Sequence, residues 1–276
     1  MRDLIIGSIA NYDFDQIKCW VNSLDRSGFT GDKFLLCYNI DNSVIDELKS
    51  RNYITRSIDR DGKDVLVERF YHYWIVLNNL KVNDYRYVIA TDISDVIFQR
   101  NPSEWLENNL SNHKINASGE SIKYHDEIWG RNNMTNSFGE LLFEHNKDKV
   151  ISNAGVMSGD FNTMKDLFLN IFLCCGGAPS QIEGGGGPDQ AAYNILLNTD
   201  TYKNITKFSN SEEAWAAQLG TTGDPNKIGY YRQFLVDPEP IMRDNKICTS
   251  TGEPFYIVHQ YNRTVWKNKL EEIYGV

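Results

Sequence analysis

The stretch Tyr87-Val88-Ile89-Ala90-Thr91-Asp92-Ile93-Ser94-Asp95-Val96-Ile97-Phe98-Gln99 decides how the chain is read. Tyr87 to Ala90 is a short continuous apolar run, which suits a strand buried on both faces. It leads straight into a polar turn holding two carboxylates, Asp92 and Asp95, and an apolar segment restarts at Val96. Two acids at the end of a buried strand repel each other and lose hydration, a cost that something must offset. A hard divalent cation such as Mn²⁺ or Mg²⁺, taking oxygen ligands and bridging to a diphosphate, would do so. Asp92 capping the turn with Asp95 solvated accounts for the same pattern without a metal.

Upstream, two periodicities alternate. Leu4 to Ala10 is another continuous apolar run. Phe14, Ile17, Trp20, Val21 and Leu24 then recur at helical spacing and stop before Gly28. Phe34 to Tyr38 reads as a second strand, Val44 to Leu48 as a short helix, and Asp64 to Leu80 as a longer one. Strand and helix in alternation at this spacing predict an α/β fold, a mostly parallel sheet with helices on both faces. Ligands bind such sheets beyond the carboxyl ends of the strands, where the strand order reverses. That directs attention to Ala10-Asn11-Tyr12, to Tyr38-Asn39-Ile40 and to the residues after Ala90.

Downstream the pattern is less regular. Lys114 to Ala117 reads as a strand, and residues 119–139 read as a polar loop. Ile151 to Ser158 is a strand containing Asn153-Ala154-Gly155, whose small residues permit close approach of a ligand or of another backbone. A helix is predicted from Phe161 to Leu173. Gly184 to Gly187 precede Pro188, which suits the first position of a helix running from Asp189 to Asn198. Asp189 and Gln190 there could meet sugar hydroxyls, or Asp189 could simply favour the helix dipole. The tail predicts a strand from Phe255 to His259 and a helix from Thr264 to Ile273. A histidine ending an apolar strand is either a satisfied structural residue or a third metal ligand, with Arg263, Lys267 and Lys269 close behind to meet phosphate.

The chain has 276 residues, enough to bury about three quarters of its unfolded surface. Its net charge of −9, without a basic block, argues against nucleic acid as a partner. The five cysteines, Cys19, Cys37, Cys174, Cys175 and Cys248, form no Cys-x-x-Cys pair and read as reduced thiols. The N-terminal apolar run is too short for a signal peptide or membrane span, so a soluble, cytoplasmic protein is expected.

The order of these features matters more than any one of them. An acid pair ending a strand, then Asn-Ala-Gly-Val, then Asp-Gln heading a helix, then a late His resembles the metal-dependent glycosyltransferases of the GT-A fold. The resemblance is to the group of glycogenin, the lipopolysaccharide galactosyltransferases and some virus-encoded sugar transferases, and it spans Leu4 to about Trp266. It implies one domain over residues 1–276, with a nucleotide-sugar-binding half (1–100) and an acceptor-binding half (101–276). It implies Mn²⁺ (or Mg²⁺) on Asp92, Asp95 and His259. Ala10, Asn11 and Tyr12 would cradle the base, with Arg69, Thr91, Asp92 and Lys267 on the donor. Asn153, Ala154 and Gly155 would face the substrates, and Asp189 and Gln190 the reacting carbon. The implied reaction moves a hexosyl or pentosyl group, with retention, from a nucleotide-diphosphate donor such as a UDP-sugar to a hydroxyl of a glycan or glycoconjugate. Two departures stand out. The acids are spaced Asp-x-x-Asp where the group has Asp-x-Asp, and the glycogenin Gly and Lys spacing after the His is missing. A pyrophosphorylase would want a Gly-rich basic loop at residues 7–13, which Gly-Ser-Ile-Ala-Asn-Tyr-Asp is not. A non-catalytic sugar- or nucleotide-binding protein would not need the acid pair and the His together, and a metal-dependent hydrolase would want more of both.

Overall fold

The computed structural model describes residues 1–59, 64–179, 182 and 185–276. The element order is β1 (Arg2–Ala10), α1 (Phe14–Arg26), β2 (Asp32–Tyr38), α2 (Asn42–Ser50), β3 (Ile54–Ile58), α3 (Val65–Asn79), β4 (Tyr85–Thr91), β5 (Val96–Phe98) and α4 (Pro102–Asn109). It continues with β6 (Ile115–Lys123), α5 (Ile128–Phe138), α6 (Glu140–Asn146), β7 (Val150–Asp160), α7 (Phe161–Cys175), α8 (Asp189–Leu197), β8 (Thr206–Ser209) and β9 (Ala216–Gln218). Last come α9 (Leu219–Thr222), α10 (Ile228–Tyr231), β10 (Ile241–Arg243), β11 (Lys246–Cys248), β12 (Ile257–His259) and α11 (Lys267–Tyr274).

Seven strands form the main sheet in the order β3-β2-β1-β4-β7-β6-β8. It is mostly parallel, and only the pairings of β7 with β4 and β6 are antiparallel. Side-chain alternation along the strands separates two cores. Leu4, Ile6, Phe34, Leu36, Val88 and Ala90 face α3 and α7, whereas Ile5, Ile9, Leu35, Cys37 and Ile89 face α1 and α2. Helices on both faces are what continuous apolar strands require. The strand order reverses at β1 and β4, which places the switch point beside Ala10 and Thr91.

A second sheet, β5-β12-β9, caps that end. The chain passes from β4 into β5 through Asp92 to Asp95, so the acid pair spans the joint between the two sheets. Gly7 keeps β1 close beneath this joint, since a Cβ there would stand 2.3 Å from Ile93 Cδ1.

Residues 119–139 are not a loop. β6 continues to Lys123, bent where Ser121 takes φ +59, and α5 fills most of the remainder. The buried face of α5 is built from Gly130, Asn133 and Met134, so it shows no apolar stripe. α8 starts at Asp189 with Pro188 as its cap, one position earlier than the first helical residue. Within the glycine-rich segment, residues 180, 181, 183 and 184 lie outside the described residues. All five thiols are free, and Cys174 alone among them is exposed. Among the described residues, no helix is long and apolar enough to cross a membrane.

Candidate active site

Three sequence-distant groups meet at the joint. One ligand atom from each of Asp92, Asp95 and His259 lies within 4.8 Å of the others. His259 Nε2 stands 3.6 Å from Asp92 Oδ2 and 3.6 Å from Asp95 Oδ1, beyond hydrogen-bond distance from both. Local pairing explains the convergence. β12 runs antiparallel to β5 with His259 opposite Val96, and the N–H of Gln260 donates to the Asp95 carbonyl at 2.7 Å.

On its other side His259 pairs in register with Gln218 of β9, and His259 Nδ1 lies 2.7 Å from Gln218 Oε1. An amide oxygen only accepts, so Nδ1 carries a proton, and in the neutral ring Nε2 keeps its lone pair. That Nε2 is buried and, among the described residues, has no hydrogen-bond partner. Two carboxylates and an imidazole lone pair, the latter oriented from behind, form a donor set that could hold a divalent cation. Gly155 leaves the room: a Cβ there would lie 2.3 Å from His259 Cε1 and 2.9 Å from Asp92 Oδ2.

Charge is finely set around this cluster. Arg69, buried on α3, binds Asp92 through one terminal nitrogen and Asp189 through the other, the latter at 2.9 Å. Burial pushes the Asp92 carboxyl up, but the Arg69 guanidinium and His259 outweigh it and hold Asp92 well below the usual carboxylate range. Burial, aided by Asp92, instead raises Asp95 and Asp189. For His259 burial favours the neutral ring, yet the two neighbouring carboxylates prevail and raise its pKa.

Two cavities flank the cluster. One, of about 210 Å³, is lined by Ser8, Ala10, Tyr12, Leu66, Arg69, Asp92 and Asp95. The other, of about 270 Å³, is lined by Glu120, Glu127, Trp129, Asn153, Gln190, Lys227, Gln260 and Arg263. At the floor of the larger one, Asn153 Nδ2 and Gln190 Nε2 both donate to Glu120 Oε1, at 2.7 and 2.9 Å. The Ala154 N–H donates to Gln190 Oε1 at 3.2 Å, and the Gly155 N–H to Asn153 Oδ1 at 2.6 Å.

Of the residues singled out in the sequence, Asp92, Asp95, His259, Arg69, Asp189, Gln190, Asn153, Ala154 and Gly155 are thus joined by direct contacts. Ala10 and Tyr12 line the smaller cavity. Asn11 sits between them at φ +56, accepting from Asn39 Nδ2 at 2.6 Å. The side chain of Thr91 turns into the core, where its hydroxyl accepts from Trp20 Nε1 at 2.9 Å. Lys267 is half-exposed, 3.8 Å from Glu271, and lines an opening that shares Tyr12 and Ser94 with the smaller cavity. Glu120, Glu127, Trp129 and Gln218 were missed in sequence; the first three fall in the stretch read as a polar loop.

Comparison with known proteins follows the same lines. Neither protein-family models nor curated proteins give a match. Among solved structures, the chain is similar to the galactosyltransferase LgtC, solved in complex with donor and acceptor sugar analogs. The TM-score is 0.57 at 15% identity, over 99% of this chain and 95% of that one. It is also similar to the apo form of the glycosyltransferase GlyE of Streptococcus pneumoniae TIGR4, with TM-score 0.55 and 15% identity, over 100% of this chain and 64% of that one. The chain has a GT-A-like fold.

Proposed function

We propose that the protein is a glycosyltransferase that moves a hexosyl or pentosyl group, with retention, from a nucleotide-diphosphate donor such as a UDP-sugar to a hydroxyl of a glycan or glycoconjugate. The observation that carries this reading is the Asp92–Asp95–His259 cluster at the switch point, with a cavity on either side. The smaller cavity is built wholly from residues 8–95 and the larger from residues 120–263, which supports a donor half (1–100) and an acceptor half (101–276).

Asp92, Asp95 and His259 would hold Mn²⁺ or Mg²⁺, which when bound supplies Lewis-acid neutralisation of the departing diphosphate. Ala10, Asn11 and Tyr12 shape the rim on which the base would rest. Arg69 holds Asp92 ionised and ready for a cation and keeps Asp189 beside it. Arg263, whose charge acts on Asp95, and Lys267, on an opening that shares Tyr12 and Ser94 with the smaller cavity, are the cations that would meet a phosphate oxygen. Asn153 of β7 lines the larger cavity and would face the sugar, with Ala154 and Gly155 beside it. Asp189 and Gln190 present polar groups where positive charge develops on the sugar ring, and there preorganised negative dipoles stabilise it without reorganising. In a retaining transfer, a departing phosphate oxygen receives the proton of the acceptor hydroxyl.

Thermal unfolding against a panel of nucleoside diphosphates and nucleotide sugars, with and without Mn²⁺, tests the reading. A ligand at a hundred times its dissociation constant adds about 2.7 kcal/mol, which is readily seen as a raised Tm. A rise that requires both the nucleotide and the metal is expected. No rise with any nucleotide would refute the reading, and a rise with free sugars alone would point to a binding module.

A further inference from the structure

We propose that Glu120 is a positioning residue of the transfer site, one carboxylate oxygen tying down the amides of Asn153 and Gln190 together. The inference rests on the glycosyl-transfer reading above and adds to it a residue outside the cation cluster.

The three groups come from three elements, β6, β7 and α8, and all are buried, with Glu120 8%, Asn153 3% and Gln190 8% exposed. Each amide is held at both ends. Its oxygen accepts from a β7 backbone N–H, Gly155 for Asn153 and Ala154 for Gln190, and its nitrogen donates to Glu120 Oε1. A carboxylate can only accept, so it fixes which end of each amide is which. Without it, two NH₂ groups would face a buried space with no acceptor, and each amide would be free to rotate away from its backbone partner.

The location argues for a role in the site as well as in the fold. Glu120, Asn153 and Gln190 all line the larger cavity. Burial and the neighbouring Glu127 disfavour the Glu120 charge and raise its pKa, and two donated N–H groups work against that rise. A group serving packing alone would have no need of charge here. Gln190 is also the chain neighbour of Asp189, which Arg69 joins to Asp92, so the amide pair is coupled to the cation cluster through α8.

Glu120→Ala and Glu120→Gln test the proposal in the full-length protein. With asparagine and glutamine ¹⁵N-labelled, the side-chain NH₂ resonances of Asn153 and Gln190 are followed in the metal-free protein. Donor affinity and kcat are then measured with UDP-sugars and Mg²⁺. Glu120→Ala is expected to move both NH₂ resonances and to lower kcat about a hundredfold, the scale of a small misplacement of reacting groups. Donor affinity should hold. Glu120→Gln keeps one accepting oxygen, so it should return both resonances most of the way and cost about tenfold in kcat. Should Glu120→Ala fail to fold, Glu120→Gln must still show the fall of about tenfold in kcat at unchanged donor affinity, and a wild-type kcat would overturn the proposal. Resonances that stay in place, or a donor affinity that falls in step with kcat, would overturn the proposal. A wild-type protein that binds no nucleotide sugar would instead refute the transfer reading, and the resonances would still decide whether Glu120 positions the amides.

Discussion

Replacing Gly155 with alanine loads the most crowded point of the site. The added Cβ would stand 2.3 Å from His259 Cε1, 2.7 Å from His259 Nε2 and 2.9 Å from Asp92 Oδ2. Ordinary contact begins at 3.4 Å, so the imidazole must withdraw by about 1.1 Å or β7 must shift. β7 is poorly able to move, because Val156 pairs with Thr91 and the Asp92 N–H donates to the Gly155 carbonyl at 2.9 Å. His259 is buried and tied to Gln218, so it is no flexible chain end either. Overpacking of this kind costs about 1–3 kcal/mol. At roughly 2–4 °C per kcal/mol for a chain of this size, that lowers the Tm by several degrees. The displaced Nε2 matters more, since disturbing the support of a metal ligand typically costs about 10–100-fold in metal affinity. Calorimetric titration with Mn²⁺ and thermal melts over a range of Mn²⁺ read both effects. Gly155→Ala should lose at least about tenfold in Mn²⁺ affinity, and its metal-free form should melt several degrees early. A variant that binds Mn²⁺ like the wild type, at an unchanged Tm, would show that His259 and Asp92 are not held against β7 and would refute the reasoning.

Three further outcomes are expected. Arg69→Ala leaves Asp92 and Asp189 facing each other without their shared cation. It should cost about 3–5 kcal/mol in urea unfolding, and a loss near zero would remove the guanidinium from the account. Thr91→Val strips the acceptor from buried Trp20 Nε1 and should cost about 1–3 kcal/mol while leaving nucleotide affinity unchanged; intact stability with weakened nucleotide binding would put the hydroxyl on the donor instead. The His259 pKa is raised in the fold, so its contribution to metal-free stability is complete below the unfolded value of 6.5 and is lost as pH rises through the folded one. Mn²⁺ needs the neutral ring, so metal affinity should rise over that same range. Tm against pH, in EDTA and in Mn²⁺, should therefore diverge for the wild type, and parallel curves for wild type and His259→Asn would count against this role.

The first hundred residues were nearly legible because both sides of the sheet are covered there. Buried strands such as Leu4 to Ala10 must be apolar throughout, and the helices between them carry apolar stripes. β3 escaped notice because it is an edge strand, and only Thr55 and Ile58 of Ile54-Thr55-Arg56-Ser57-Ile58 are even half-buried. Glu120 was hidden for a different reason. β6 departs from regular pairing on both sides of Gly119, and Ser121 takes a left-handed conformation, so alternation fails where the carboxylate turns inward. In α5, glycine and asparagine share the buried face with Met134 alone, too little for an apolar stripe. Such residues are recognised only by what they touch.

Gln218 and His259 show where local reading stops. The two are partners because three-residue strands β9 and β12 lie parallel in one register, and β12 in turn lies antiparallel to β5 with His259 opposite Val96. Side chains alternate along a strand, so slipping either pairing by one residue would turn the imidazole to the opposite face, away from Asp92 and Asp95. Three-residue strands have little ladder of their own with which to hold a register. Buried Val96, Ile97 and Phe98 on β5, and Ile257 and Val258 on β12, supply it, because a slip would send them to the wrong cores. The apolar restart after Asp95 therefore has a part in the chemistry. It sets the register that brings a histidine from the far end of the chain onto two aspartates, and Gln218 then decides which ring nitrogen faces them.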